Sequence, residues 1–193
     1  MSFKNYLKSK TNEDTPGVAF VFGRTNPPTK GHQENFDELG KYAKKHKMDA
    51  IIFTSFTQNS KKNPLTPGDK LYYLEMMAPS NVQVSKDQSL KTAFAILEDL
   101  IKNKGYKRIA FLVGADREND FQSMKKYTKE WSDGEATLEV VVSGERTEGV
   151  SGTDMRNYVK DNDFEKFKEN LPKSIKGRDA EELFNKVKIG LEK

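Results

Sequence analysis

Val18-Ala19-Phe20-Val21-Phe22, followed by Gly23-Arg24-Thr25-Asn26-Pro27-Pro28-Thr29-Lys30-Gly31-His32, is the stretch that decides how the chain folds. The apolar run reads as a buried strand. Beyond the turn, Phe36, Leu39, Gly40 and Ala43 recur at helical spacing. The stretch is therefore a strand-to-helix connection. The two prolines hold the chain extended up to Thr29, whose hydroxyl suits an N-cap. Gly31 then falls in the first helical turn, where glycine costs roughly 1 kcal/mol relative to alanine. A ligand that approaches the backbone closely would account for it. Lys30 and His32 flank that glycine. Free amides, the positive end of a helix and two nitrogen side chains together suit an anion, phosphate above all.

Working outward, the 193 residues suggest one domain with a terminal extension. Charged residues make up 32% of the chain and the mean hydropathy is −0.82. No apolar run approaches the roughly 18 residues that span a bilayer. Lys4, Lys8 and Lys10 interrupt any signal-peptide core. The expectation is a soluble, cytoplasmic protein with no membrane partner. The absence of cysteine excludes disulfides, thiolate zinc sites and cysteine nucleophiles. With only two histidines, His32 and His46, a multi-histidine metal site is excluded too. The net charge of +4 is a small excess of 33 basic over 29 acidic residues. No basic run is interleaved with aromatics, so nucleic acid is not an expected partner.

Apolar and periodic segments alternate along the chain. Strands are expected at 49–55, 82–84, 107–114 and 138–142, after the first at 18–22. Thr66-Pro67-Gly68-Asp69 reads as a helix start, with Thr66 as cap and Pro67 at the first helical position. Ser89 reads as the cap of the next helix, which Gly105 would close. Continuous β-branched and aromatic strands separated by helices predict a Rossmann-like parallel sheet of about five strands with helices on both faces. A C-terminal helical extension follows. The expected organisation is a tail over 1–16, a main domain over 17–160 and the extension over 161–193. Ligands of such sheets bind outside the C-terminal strand ends, where strand order switches. Three pieces should converge there: the Gly23–His32 turn, Gly114-Ala115-Asp116, and Ser151-Gly152-Thr153-Asp154-Met155-Arg156.

The third piece is another helix start, with Ser151 as cap, Asp154 completing an acidic capping box, and Arg156 nearby. Two helix N-termini at one crevice, one with Lys30 and His32, the other with Ser151, Thr153 and Arg156, would make a polyphosphate site.

On these residues the chain resembles the nucleotidyltransferase superfamily with (H/T)xGH and ISSTxxR motifs. Thr29-Lys30-Gly31-His32 matches the first. Val150-Ser151-Gly152-Thr153-Asp154-Met155-Arg156 matches the second, about 120 residues on. Thr29 stands where many members have histidine; the pantetheine-phosphate adenylyltransferase branch also carries threonine there. Gly152 replaces the second serine, and Thr25 stands where phenylalanine is common. The resemblance implies transfer of a nucleoside monophosphate from a nucleoside triphosphate to a phosphate-bearing acceptor, with pyrophosphate released. It implies that His32 and Thr29 donate to the α-phosphate. Lys30, Arg24 and Arg156 would pair with phosphates. Gly23, Thr25, Asn26, Gly31, Ser151 and Thr153 would bind the nucleotide. Mg²⁺ would ride on the phosphates, with no protein metal ligand. Members are often oligomeric, so a homo-oligomer is among the expected states.

Lys62-Asn63-Pro64-Leu65-Thr66 with Gly68 resembles a segment of archaeal-type nicotinamide-mononucleotide adenylyltransferases. That branch implies ATP as donor and nicotinamide mononucleotide as acceptor. Asn63 and Asp116 would be acceptor contacts, and Trp131 or Phe56 would be the stacking aromatic. Phosphopantetheine adenylylation and cytidylyl transfer from CTP are alternatives. A different class of reading is a nucleotide-binding or structural module of a larger assembly, with little or no catalysis.

Overall fold

The computed structural model describes residues 16–114, 118–143 and 150–193. Within them, five strands form one sheet: β1 (Gly17–Gly23), β2 (Asp49–Thr54), β3 (Gln83–Val84), β4 (Arg108–Val113) and β5 (Thr137–Val142). The helices are α1 (Lys30–His46), α2 (Pro67–Met77), α3 (Ala93–Lys102), α4 (Glu118–Gln122), α5 (Met124–Trp131), α6 (Gly152–Lys160), α7 (Phe164–Glu169) and α8 (Arg178–Leu191). The sheet order is β3-β2-β1-β4-β5 and every pairing is parallel. The Rossmann-like arrangement is as expected. Order reverses between β1 and β4, so a crevice opens above their C-terminal ends.

Alternation along each strand builds two cores. Ala19 and Val21 of β1, with Ala110 and Leu112 of β4, face α1, α2 and α6 to α8. Val18 and Phe20, with Ile109, Phe111 and Val113, face α3 and α5. Phe20 stacks on Phe111 at 4.3 Å between ring centroids. Burying each such side chain contributes roughly 1.5–3 kcal/mol. Phe167, Leu171, Leu183, Phe184 and Val187 belong to the first core. Residues 161–193 thus help to cover that face of the sheet.

Two details depart from the sequence expectation. Thr92, not Ser89, caps α3: its hydroxyl takes the Ala95 amide at 3.1 Å. Ser89 is held in the preceding loop, where its amide and hydroxyl both donate to Asp87. Thr25 is left-handed at φ 44°, so the chain before the prolines turns rather than running extended; the Asn26–Pro27 bond is cis.

Candidate active site

Thr29 caps α1 as expected, and His32 completes the cap. The Thr29 amide donates to His32 Nδ1 at 3.1 Å. The Thr29 hydroxyl lies 2.8 Å from the same nitrogen, and the His32 amide reaches back to Thr29 Oγ1 at 3.4 Å. This is a capping box with an imidazole in the usual place of a carboxylate. Because a backbone N–H can only donate, Nδ1 must be the acceptor. The neutral ring then carries its proton on Nε2. Burial pushes the imidazole down to about 4, so this tautomer holds at neutral pH. His32 lines a cleft of about 90 Å³ above β1 and β4, with Phe22, Asn35, Gly114, Phe121 and Ser143 around it.

One pH dependence follows. The unfolded chain binds a proton at His32 from about pH 6.5 downward, whereas the folded ring does so only near 4. Between those values the unfolded state holds more protons, so stability falls as pH falls. The ring is half-buried, so the loss should be only about 1–2 kcal/mol. Urea midpoints at pH 7 and 4.5 check it. Wild type should lose more stability than His32→Asn over that window.

The amides opening α1 divide their work. The Lys30 N–H donates to the Asn170 carbonyl at 3.1 Å, and the His32 N–H stays within the cap. The Gly31 N–H has no partner among the described residues. A Cβ built on Gly31 would meet only Thr29 Oγ1, at 3.8 Å. Among the described residues no packing requires this glycine, and the space in front of it is open. Gly31→Ala should therefore stabilise the fold by about 0.5–1 kcal/mol while weakening the binding of any phosphate that approaches this amide. Thermal melts and a nucleotide titration check the opposed signs.

The second helix start stands against the first turn. Ser151 and Asp154 form a reciprocal capping box. The Ser151 amide donates to Asp154 Oδ2 at 2.8 Å, and the Asp154 amide donates to Ser151 Oγ at 3.2 Å. The Ser151 hydroxyl also donates to Asp154, which holds that carboxyl below its usual range. Arg156 donates from Nη1 to the Asn26 carbonyl at 2.9 Å and from Nη2 to Thr153 Oγ1 at 2.9 Å. A Cβ on Gly152 would sit 3.5 Å from the Asn26 carbonyl oxygen. The two N-termini therefore share one wall, and the Gly152 and Thr153 amides that open α6 have no partner among the described residues.

A buried cation was missed by the sequence reading. Lys70 is 1% exposed and donates to the Ser55 carbonyl. Burial first, and the Arg24 charge second, pull its ammonium down to about 8. Desolvation and the same Arg24 also lower Arg156. Arg24, Lys70 and Arg156 thus lie close enough to feel one another. Among the described residues no carboxylate is paired to Arg24 or Lys70, and Asp154 only partly offsets Arg156. Like charges gathered this way suit a polyanion. Lys70 shares the buried stripe Tyr73, Leu74 and Met77, and this lysine on an apolar stripe was the available signal.

The remaining candidates fall as follows. Asn26 and Asn63 are 3% and 5% exposed. Asn26 Oδ1 accepts the Leu65 amide at 3.1 Å, tying the 59–65 loop to the first turn. Asn26 Nδ2 and Asn63 Oδ1 have no hydrogen-bond partner among the described residues. Gly23 ends β1, and its carbonyl accepts Ser55 N–H at 3.0 Å. Thr25 is buried under the turn, and Lys30 is exposed at its rim. Asp116 lies outside the described residues. Trp131 does not reach the crevice. It ends α5, packed on Tyr127 and beneath Lys102. Phe56 follows β2 on the crevice side, and the aromatic side chains that line the cleft are Phe22, Phe36, Phe111 and Phe121. Among the described residues, no helix is long and apolar enough to cross a membrane.

No protein-family model matches the chain, and no curated protein matches it. Solved structures do. A candidate nicotinate-nucleotide adenylyltransferase from Vibrio parahaemolyticus superposes with a TM-score of 0.61 at 22% identity, covering 89% of this chain and 100% of that one. What the two chains share is the fold. TmcAL of Thermotoga maritima, bound with alpha-thio ATP, superposes with a TM-score of 0.53 at 11% identity, over 89% of this chain. The present chain spans 56% of the TmcAL chain.

Proposed function

We propose that the chain is a nucleotidyltransferase that moves AMP from ATP to a phosphate-bearing acceptor, nicotinamide mononucleotide being the favoured one. The observation that carries this reading is the meeting of two helix N-termini through the Arg156–Asn26 contact. Beside them stand a neutral imidazole with its proton on Nε2 and a group of cations, of which Arg24 and Lys70 have no paired carboxylate among the described residues. Such a site offers donors to phosphate oxygens from several directions and asks for no covalent intermediate. Two structural neighbours support it: one is named for transfer to a pyridine nucleotide, and the other is bound with an ATP analogue.

In this reading the acceptor phosphate oxygen attacks the α-phosphorus in line. The bond to the β-phosphate bridging oxygen breaks, and pyrophosphate leaves with the electron pair. His32 Nε2–H and the Gly31 amide donate to the α-phosphate oxygens as charge builds. The Thr29 hydroxyl and amide keep the ring turned. The Gly152 and Thr153 amides, Arg156 and Arg24 hold the β- and γ-phosphates. Lys70 adds charge from beneath, and Lys30 from the rim. Asn63 Oδ1, buried and unpaired, is an acceptor for a donor group on the second substrate. The described residues contain no cluster of three histidine or acidic side chains that could hold a cation. The groups around the crevice are donors, so they fit phosphate rather than metal. Mg²⁺ would arrive on the triphosphate and neutralise it, keeping several waters.

Pyrophosphate release decides the matter. The protein is incubated with Mg²⁺, ATP or CTP and a panel of phosphorylated acceptors. Release with ATP and one acceptor, absent when that acceptor is omitted, is expected. Tight nucleotide binding with no release for any acceptor would leave the binding-module reading in its place.

A further inference from the structure

Helix α8 presents the buried stripe Ala180, Leu183, Phe184, Val187 and Gly190 to the first core. Its last member lies against Pro64, backbone and ring alike. A Cβ built on Gly190 would stand 2.1 Å from the Pro64 carbonyl oxygen, 2.7 Å from its carbon and 2.8 Å from its Cβ. No carbon tolerates such distances, so the helix backbone lies directly on the loop backbone. Pro64 is flanked by groups that touch both motif turns. Lys62 accepts Arg156 Nη1 at 3.4 Å through its carbonyl, and the Leu65 amide donates to Asn26 Oδ1. The same helix is tied to α2, which follows the loop and carries Lys70. Lys186 pairs with Asp69 at 2.7 Å, and Tyr72 donates to Asp179 Oδ1 at 3.2 Å.

We propose that Gly190 is a positioning residue of the site: through it, α8 seats the 59–65 loop against Asn26 and Arg156 and so sets where Asn63 meets the second substrate. A methyl group at 190 pushes Pro64 outward, because backbone cannot turn aside as a flexible side chain can. Displacements near 1 Å at a positioning loop can cost about 100-fold in rate. The loop closes on itself through reciprocal Asn59 and Asn63 backbone bonds, so the push reaches Asn63 as a unit. The kinetic consequence rests on the transferase reading, whereas the structural one does not.

The test compares Gly190→Ala with Ile189→Ala in the full chain, Ile189 being exposed at 56%. Amide hydrogen exchange is followed at Asn59, Asn63 and Leu65, and steady-state kinetics are measured for each substrate. Gly190→Ala is expected to lower protection at the Leu65 amide, the bond that seats the loop on Asn26, by about 10-fold or more, while the Asn59 and Asn63 amides, bonded within the loop, serve as the internal reference. It is also expected to raise acceptor KM by about 10-fold or more while ATP KM stays within about 3-fold. Ile189→Ala should change none of these. Protection and acceptor KM that stay at wild-type values in Gly190→Ala overturn the proposal. Should that variant fail to fold, Lys186→Met, which releases the tie to Asp69, is held to the same two readouts. A wild-type protein without turnover would sink the transferase reading alone, because the exchange measurement still decides the loop's seating.

Discussion

Replacing His32 by alanine is expected to lower turnover by about 10²–10³-fold while nucleotide affinity changes less than about 10-fold. The imidazole is neutral, its Nδ1 is committed to the Thr29 amide, Nε2 carries the ring's proton, and the residue lines the cleft. That donor gains most where negative charge grows during transfer, so its loss falls on the transition state more than on the bound nucleotide. The change also removes one side of the capping box, for about 1 kcal/mol of stability. The two effects separate by measurement: a melt reads the cap, and single-turnover pyrophosphate release reads the chemistry. His32→Gln should recover part of the donor function without titrating. Because the folded ring titrates near 4, the wild-type rate should show no limb from His32 between about pH 5.5 and 8. A histidine acting as a proton-transfer base would instead leave a limb near its usual value.

Arg156→Ala is the second large effect, expected at about 10²-fold in kcat/KM with a raised KM for ATP. The guanidinium bridges the Asn26 carbonyl and the Thr153 hydroxyl with two different nitrogens, and so spans the seam between the two helix starts. Removing it loses a phosphate partner and also unties the wall. Arg156→Lys should restore little, because one ammonium on a flexible stem cannot hold both bonds at once. Thr153→Ala should be milder, since the Thr153 amide stays in place. Titrations with ATP and with inorganic pyrophosphate check where the loss falls. Equal weakening for both would assign Arg156 to the leaving group.

The strands and most helices were legible because their signals are local and periodic. Thr29, Thr66 and Ser151 cap helices where hydroxyl-to-amide reasoning put them. Ser89 misled because it precedes the apolar Leu90, yet the nearby Asp87 carboxylate competes for its hydroxyl and amide. The convergence of the two motifs was legible from topology, since strand ends on either side of a switch point must face one crevice. The atoms that join them were not: the Arg156 bond goes to a backbone carbonyl 130 residues away, and no sequence pattern records that. Histidine as the reciprocal partner in a capping box was equally hidden, since that place favours a carboxylate or amide. Lys70 left a trace, a charge on an apolar helical stripe. Gly190 left none, because a glycine near a helix end reads as ordinary fraying until the opposing carbonyl is seen. Trp131 was a candidate stacking aromatic, but its ring packs on Tyr127 and beneath Lys102 and does not line the cleft.

The most direct measurement is a structure of the full chain with Mg²⁺ and a non-hydrolysable ATP analogue. The expected result puts an α-phosphate oxygen within hydrogen-bond reach of His32 Nε2, and the β- and γ-phosphates at the Gly152 and Thr153 amides and the Arg156 guanidinium. A triphosphate that touches only one helix start, or that lies outside the crevice between β1 and β4, would contradict it.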